Sequence, residues 1–388
     1  MKYVVIGTGE VGSIIAKDLA ISEGTTQVCV GDINFAAAEK LAAEIGPLAK
    51  AVKVDIYDEE GLCNTIDGFD VVVNAVGPFY KTARYILEAC LKKKLNYVDI
   101  ADDSSAIIQL LEYEDRCKEA GITALISQGV SPGTTNMLGL LGSQKLDEVD
   151  EIHTSWVESA LGDIGLACIW HGLEMSTGII PQFLNGKMTD VTAATGSANI
   201  KFRKPLGEYP VHYVGHGEPV TMPRYIKANT ITNRGNVWPI DHDITNYKVY
   251  EKLGLASNDI LRVGDVEVVR RDITAALIIE KLGTVEAPTK DVEDPLFQVH
   301  VSVSGKKDNK DVTYVYTCFT DMNPATALSA SYGAQVIAKG KLTQKGLFPP
   351  EGILDTKDFF LHLEKKGFEI YEEVIVDGIP QPEMLLEV

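Results

Sequence analysis

Tyr3-Val4-Val5-Ile6-Gly7-Thr8-Gly9-Glu10-Val11-Gly12 is the stretch whose reading decides the fold. A β-branched and aromatic run ends in G-x-G-x-x-G, and an Ala- and Leu-bearing segment of helical period follows over Val11–Ala20. The first glycine permits a tight turn, the second lets backbone approach a pyrophosphate, and the third lets helix and strand pack closely. The helix N-terminus then offers free N–H groups and a positive dipole to an anion. The glycine pattern alone is weak, but a strand before it and a helix after it are the context that a dinucleotide fingerprint requires. Gly7, Thr8, Gly9, Glu10, Val11 and Gly12 are therefore read as a phosphate-binding turn.

Outward from this stretch, short β-branched runs alternate with helical ones. Gln27–Val30, Ala51–Val54, Val71–Asn74, Tyr97–Ile100 and Thr123–Ile126 read as strands; Ala36–Ile45, Thr82–Leu91 and Ser105–Ala120 read as helices. Such alternation predicts a doubly wound parallel sheet, an α/β Rossmann domain over 1–135. Asp32, about 20 residues past the fingerprint, stands where a carboxylate reads the ribose hydroxyls. It repels a 2′-phosphate, and Ile33, Asn34 and Phe35 bring no compensating cation, so NAD is expected over NADP. Asp55 and Ile56 close the third strand, where adenine is flanked; Asp55 fits a strand-end cap equally well. Asn74, Ala75, Val76, Gly77 and Pro78 close the fourth strand, and small residues at such an end admit the cofactor.

Asp99-Ile100-Ala101-Asp102-Asp103 ends the fifth strand and Gln128–Asn136 follows the sixth, both expected beside the nicotinamide. Asp102 and Asp103 suit an ammonium or proton transfer; Asp103 or Ser104 serves equally as a helix cap. Beyond 136 the chain turns into a mixed α+β region, with strands at His153–Val157 and Val211–Val214 and a hairpin of Phe297–Ser304 with Val312–Phe319. Helices at Pro324–Ile337 and Phe359–Lys366 and a strand near Glu369–Val376 close it. Trp170, His171, Glu174, Arg224, Arg234 and His242 are its distinctive polar and aromatic residues. A histidine carries protons near neutral pH, and an arginine clamps a carboxylate. Taken singly, each also fits a surface or hydrogen-bonded core position. His212 and His216 lie four apart without a third ligand at useful spacing, so no metal site is expected.

A formal charge of −19 argues against nucleic acids and anionic membranes as partners. Hydrophobic residues at 45% and charged residues at 23% are ordinary for a globular chain with ample core. The six cysteines show no C-x-x-C or zinc spacing and read as small buried hydrophobes in a reducing compartment. The chain enters a strand at once, without a basic and then apolar leader, and holds no membrane-length apolar run. A cytoplasmic protein is expected.

Gly7–Gly12, Val73–Tyr80, Tyr97-Val98-Asp99, Gly129-Val130-Ser131-Pro132-Gly133-Thr134-Thr135-Asn136-Met137, Trp170, and Ala325–Pro350 with Gly346-Leu347-Phe348-Pro349-Pro350-Glu351 together resemble the saccharopine dehydrogenase-like family. That family includes saccharopine reductases and lysine 6-dehydrogenases. The resemblance is dense over the first third and last fifth of the chain, and thin between. It implies that 323–388 rejoin the Rossmann domain after an inserted substrate and dimerisation domain, 136–322. It implies NAD(P)-dependent oxidation at a C–N bond of an amino acid, giving an imine that hydrolyses or condenses. Tyr80, Asp103, Ser131, Asn136, Trp170, Glu174, Arg224 and Arg234 are expected around the substrate. His171 and Asp102 are expected to face each other across the crevice as the catalytic pair. The family's Ser-x-Arg is replaced by His171-Gly172-Leu173, and Arg234-Gly235 is separated from Trp238-Pro239-Ile240-Asp241-His242. Those departures leave open another amine as substrate. A homo-oligomer is expected through the edge of the Phe297–Phe319 hairpin. An NAD-binding sensor without turnover and an alcohol dehydrogenase are the rival readings.

Overall fold

The computed structural model describes residues 1–161, 165–282 and 293–387. It divides into two compact units: 1–137 with 322–368, and 138–321 with 369–387.

The first unit is built on β1 (Lys2–Ile6), β2 (Gln27–Asp32), β3 (Ala49–Lys53), β4 (Val71–Asn74), β5 (Asn96–Asp99) and β6 (Thr123–Leu125). Gly346–Phe348 supplies a seventh strand beyond β6, and the order Gly346–Phe348, β6, β5, β4, β1, β2, β3 is parallel throughout. Val4, Val5, Val71, Val72 and Val73 have no exposed surface, as strands covered on both faces require. Between the strands run α1 (Glu10–Ile21), α2 (Phe35–Ile45), α3 (Glu59–Ile66), α4 (Phe79–Lys93), α5 (Ser104–Leu111) and α6 (Glu114–Ala120). Asn34 and Asp58 cap α2 and α3 by accepting from Ala37 N and Gly61 N, satisfying N–H groups that a helix start leaves over. Strand order reverses between β1 and β4, so the loops after these two strands lie at the switch point where such sheets bind ligands.

Helix Met322–Ala338 returns to this unit as a run of Ala, Ser and Gly, buried nearly throughout. Small side chains let it approach closely: a Cβ on Gly333 would come within 2.6 Å of Leu125. It is fastened to α1 through Asp18, 6% exposed, which accepts from Ser331 Oγ at 2.6 Å and pairs with Lys366.

The second unit holds an eleven-stranded sheet among the described residues. Its main path runs Ala198–Lys201, Glu208–Tyr213, Thr230–Trp238, Glu148–Ser159, Phe297–Lys307, Lys310–Thr320, Ile370–Val376, Ile379–Pro380. Two sequence expectations change here. Residues 369–387 group with this unit, because Ile370–Val376 pairs with Lys310–Thr320 over seven residue pairs. The long hairpin has no open edge either, since Phe297–Lys307 also pairs with Glu148–Ser159. Its turn, Asp308-Asn309, has φ of 50° and 64°, which suits residues tolerant of the left-handed region. Outside the sheet, a ribbon of Ile260–Val263 and Val266–Val269 pairs with itself alone among the described strands. No described helix is long and apolar enough to cross a membrane. All six cysteines are free thiols; Cys29, Cys90, Cys117 and Cys318 are buried as expected, Cys63 is half-buried, and Cys168 is exposed, contrary to that reading.

Candidate cofactor and active site

The three fingerprint glycines play different parts. A Cβ on Gly12 would lie 2.0 Å from Gly7 O, and Gly7 itself has φ +99° with Ala75 O at 2.7 Å from its Cβ position. Both glycines are forced by the protein's own packing. Gly9 is not: its φ is −66°, and nothing lies within 4 Å of a Cβ built there. The open space over Gly9 is the room a pyrophosphate needs. Ser13 Oγ donates to Thr8 O, and Asn323 donates to Glu10, holding the turn from both sides. Val11 lies within the first turn of α1.

Asp32 ends β2 and meets this loop. One carboxylate oxygen accepts from Thr8 N at 2.7 Å and Thr8 Oγ1 at 2.9 Å, the other from Asn34 N at 2.8 Å. Beside it Ile33 is 64% exposed, an apolar surface open to a flat ring. Ile56 is buried, whereas Asp55 is exposed and accepts from Tyr57 N at 2.9 Å, the turn-capping alternative.

The carboxyl ends of β4, β5 and β6 are tied by a buried chain. Asn74 Nδ2 donates to Tyr97 Oη (3.0 Å), and Tyr97 donates to Asp99 Oδ2 (2.9 Å). Asp99 Oδ1 accepts from Ser127 N (2.7 Å) and Ala101 N (3.1 Å). Burial pushes the Asp99 carboxyl up to about 6, against those hydrogen bonds, which lower it. Asn74 Oδ1 also accepts from Val76 N, and Thr82 Oγ1 donates to Pro78 O. Ala75, Val76 and Gly77, the last preceding a cis Pro78, are thus set by this chain. Asp103 is fully buried at the N-cap of α5, but its side chain makes no cap bond; Asp102 and Tyr80 are half-buried.

The 129–136 loop is closed by its own residues. Gly133, at φ +127°, has Gly129 O only 2.1 Å from its Cβ position, so no side chain fits. Asn136 Oδ1 accepts from Gly133 N at 2.9 Å, and its Nδ2 donates to Glu351 Oε1 at 2.9 Å. The two most specific segments of the sequence resemblance are therefore physical partners, and Asn136 holds the loop. Ser131 is half-buried in it.

In the second unit, helix Leu166–Met175 carries Trp170, His171 and Glu174. Trp170 packs against the cluster of Ile169, Leu173, Ala256 and Ala275. Glu174 receives Arg271 Nη1 at 2.7 Å, an ion pair absent from the sequence reading. His171 Nε2 lies 3.3 Å from Nε2 of His216, whose Nδ1 lies 3.4 Å from Glu218. His212 turns elsewhere, to Ser197 and Asp243. Arg234 spends its guanidinium on Gly196 O, Thr232 Oγ1 and Tyr213 Oη. Arg224 is exposed at the end of a short 3₁₀ turn, and His242 ends another. Sequence reasoning set His216 aside with His212 and missed Glu218 and Arg271. Asp99 and Glu351 stood in the quoted segments Tyr97-Val98-Asp99 and Pro349-Pro350-Glu351, but neither was given a role of its own.

A parallel sheet ordered about a β1/β4 switch, with a glycine turn shaped for a pyrophosphate, defines an NAD(P)-binding Rossmann domain. Residues 3–125 match the saccharopine dehydrogenase NADP binding domain family. Carboxyaminopropylagmatine dehydrogenase from Synechocystis sp. is 22% identical over 96% of this chain and 98% of its own length. Carboxynorspermidine synthase from Vibrio alginolyticus is 24% identical over 98% and 99%. The apo saccharopine dehydrogenase (L-Glu forming) from Saccharomyces cerevisiae superposes with a TM-score of 0.68 at 14% identity, covering 96% of this chain and 99% of that one. The first third of the chain thus matches the saccharopine dehydrogenase NADP binding domain, and the whole chain is similar in fold to a saccharopine dehydrogenase, in line with the sequence resemblance.

Proposed function

We propose that this protein is an NAD-dependent dehydrogenase acting at a C–N bond of a small amine or amino acid, with polyamine-type amines favoured over lysine or saccharopine. The observation that carries the cofactor half is Gly9, a residue kept small where the protein itself leaves open space. Asp32 supports NAD, although the matching family is described by NADP. The amine half is supported by two near full-length relatives whose names refer to agmatine and norspermidine derivatives. A net charge of −19 also favours encounter with cationic amines.

Gly7–Gly12, Asp32 and Asn74–Pro78 would hold NAD, which would supply the acceptor for a hydride from the carbon bearing the amine. His171 takes the proton from the amine nitrogen, whose electron pair closes the C=N bond, and water then hydrolyses the imine. Asp102 serves as the carboxylate partner of this step. Tyr80, Asp103, Ser131, Trp170 and Glu174 shape the substrate's surroundings. Arg224, exposed at the end of its 3₁₀ turn, is the proposed carboxylate clamp. A cytoplasmic location fits the free thiols. A homo-oligomer is proposed through the Ile260–Val269 ribbon, where Ile260, Val263 and Val266 are each about three-fifths exposed.

The test is purified protein with NAD or NADP, screened against lysine, ornithine, saccharopine and carboxyalkylated polyamines by absorbance of the reduced cofactor. Turnover with an amine is expected, and His171→Ala should lower it roughly 10²–10⁴-fold with NAD affinity unchanged. Tight NAD binding with no turnover on any amine favours the sensor reading.

A further inference from the structure

Ser197, His212 and Asp243 stand in line in the second unit, and the proposed dehydrogenase uses none of them. Ser197 Oγ lies 2.8 Å from Nδ1 of His212, and Nε2 of the same ring lies 3.2 Å from Asp243 Oδ2. Ser197 is exposed, whereas the side chains of His212 and Asp243 keep only 7% and 16% of their surface.

The line is held from both ends. Ala198 pairs with Val211 across two antiparallel strands, so Ser197 stands opposite His212 one step further on. The turn before Ser197 is fixed by Tyr213, whose N donates to Thr195 O and whose O accepts from Ala194 N, each at 2.8 Å. Gly196, at φ +60°, has the Tyr213 ring 2.0 Å from its Cβ position, and its O accepts from Arg234 Nε at 2.9 Å. At the other end, Asp243 Oδ1 accepts from Thr245 N at 2.7 Å and Oδ2 from Asn236 Nδ2 at 2.9 Å. The Asn236 amide has one orientation, because its Oδ1 takes Val237 N and Ile244 N.

These contacts place the protons. Burial opposes a charge on Asp243, but hydrogen bonds with His212, Thr245 and Asn236 outweigh it and hold the carboxyl below its ordinary value. A carboxylate only accepts, so Nε2 of His212 carries a proton towards it. Nδ1 of the neutral ring is then a lone pair, and the Ser197 hydroxyl donates to it. Such a histidine can draw the proton from a serine while a carboxylate steadies the imidazolium. The ring is turned over relative to the usual order, in which serine meets Nε2, but each nitrogen keeps its role. Gly196 and Ser197 are exposed, and neither backbone N–H donates to a described residue. Two donors next to Oγ in the chain are thus left for an oxyanion.

We propose that Ser197, His212 and Asp243 form a second active site, with Ser197 as a nucleophile that cleaves small carboxylic esters. NAD takes no part, so this site stands or falls apart from the dehydrogenase reading. Ser197 Oγ bonds to the ester carbonyl carbon as its proton passes to His212 Nδ1. The ester C–O bond then breaks, its electron pair stays on the departing oxygen, and that oxygen takes the proton from Nδ1 and leaves as the alcohol. Water repeats the sequence on the acyl-serine: one proton goes to Nδ1, its oxygen bonds to the carbonyl carbon, and Oγ recovers the proton as the carboxylic acid departs. An exposed hydroxyl favours short acyl chains, which need no deep cavity.

The experiment treats the whole protein, without NAD, with a fluorophosphonate and separately with p-nitrophenyl acetate. Peptide mass spectrometry should find the phosphonyl group on Ser197, and His212→Gln should not acquire it. Release of p-nitrophenol should fall roughly 10²-fold or more in Ser197→Ala and in Asp243→Asn. Ser197→Ala changes an exposed side chain and keeps the fold, so it decides the matter if His212→Gln does not fold. A folded protein that is not phosphonylated at Ser197, or ester cleavage undiminished in Ser197→Ala, overturns the proposal and leaves the three residues as a hydrogen-bonded brace.

Discussion

Gly9 and Asp32 are proposed to face the cofactor, and each yields an expectation at the residue scale. Gly9→Val adds a branched side chain to open space at an ordinary φ of −66°, so the fold should survive. NAD binding should be lost, because the methyls occupy the room for the pyrophosphate. Circular dichroism and titration calorimetry on one preparation check this; retained affinity would mean the loop is only structural. Asp32→Ala removes the carboxylate proposed to read the ribose and also frees Thr8 N and Oγ1. Its Kd for NAD should rise about tenfold, the scale of a hydrogen bond to a charged group, and the preference over NADP should narrow. Equal affinity of the unaltered protein for both cofactors would refute the assignment. These two residues could be proposed from the sequence because a local motif names them. Glu218 was not, since a lone carboxylate in a Gly-Glu-Pro segment carries no sign of being buried beside a histidine.

Elements meet at the ends of β4, β5 and β6, where Asp99 joins three strands. A carboxyl raised to about 6 from an ordinary value near 3.9 binds more protons folded than unfolded between those values. Its contribution to stability is therefore intact below about pH 4, declines as pH rises to about 6, and is flat above. Asp99→Asn abolishes that titration. Its stability relative to the unaltered protein should improve across this window by an amount on the order of a kcal/mol, measured by urea unfolding at closely spaced pH values. A constant difference across the window would refute the assignment. At this scale the sequence was informative where period and caps are local: the six strands, α1, α2, α4 and the hairpin lie close to their expected ranges, whereas α3 (Glu59–Ile66) was not expected and the single helix expected over Ser105–Ala120 is two, α5 and α6. It was uninformative where pairing is remote. Nothing in Ile370–Val376 says that its partner is Lys310–Thr320, and nothing near Asn136 announces Glu351.

For the whole molecule, the oligomer changes its footing. The hairpin that first suggested an exposed edge is paired on both sides. The Ile260–Val269 ribbon takes its place, because an isolated two-stranded ribbon is marginal in water unless its apolar face is covered. Light scattering should give a multiple of the 42.2 kDa chain mass, and Val266→Glu should reduce it to one copy. A monomer at all concentrations would remove the idea.

The seventh strand of the first unit has a further consequence, for synthesis on the ribosome. Thr123 Oγ1 donates to Gln344 O, 221 residues later, and the strand that begins at Gly346 is what covers the edge of β6. At roughly 5–20 residues per second, a nascent chain waits about 10–40 s with that edge uncovered while the entire second sheet except its last strands is made. An early-finished first domain would be sticky for that interval. The first domain's sheet therefore stays one strand short until Gly346–Phe348 has been made.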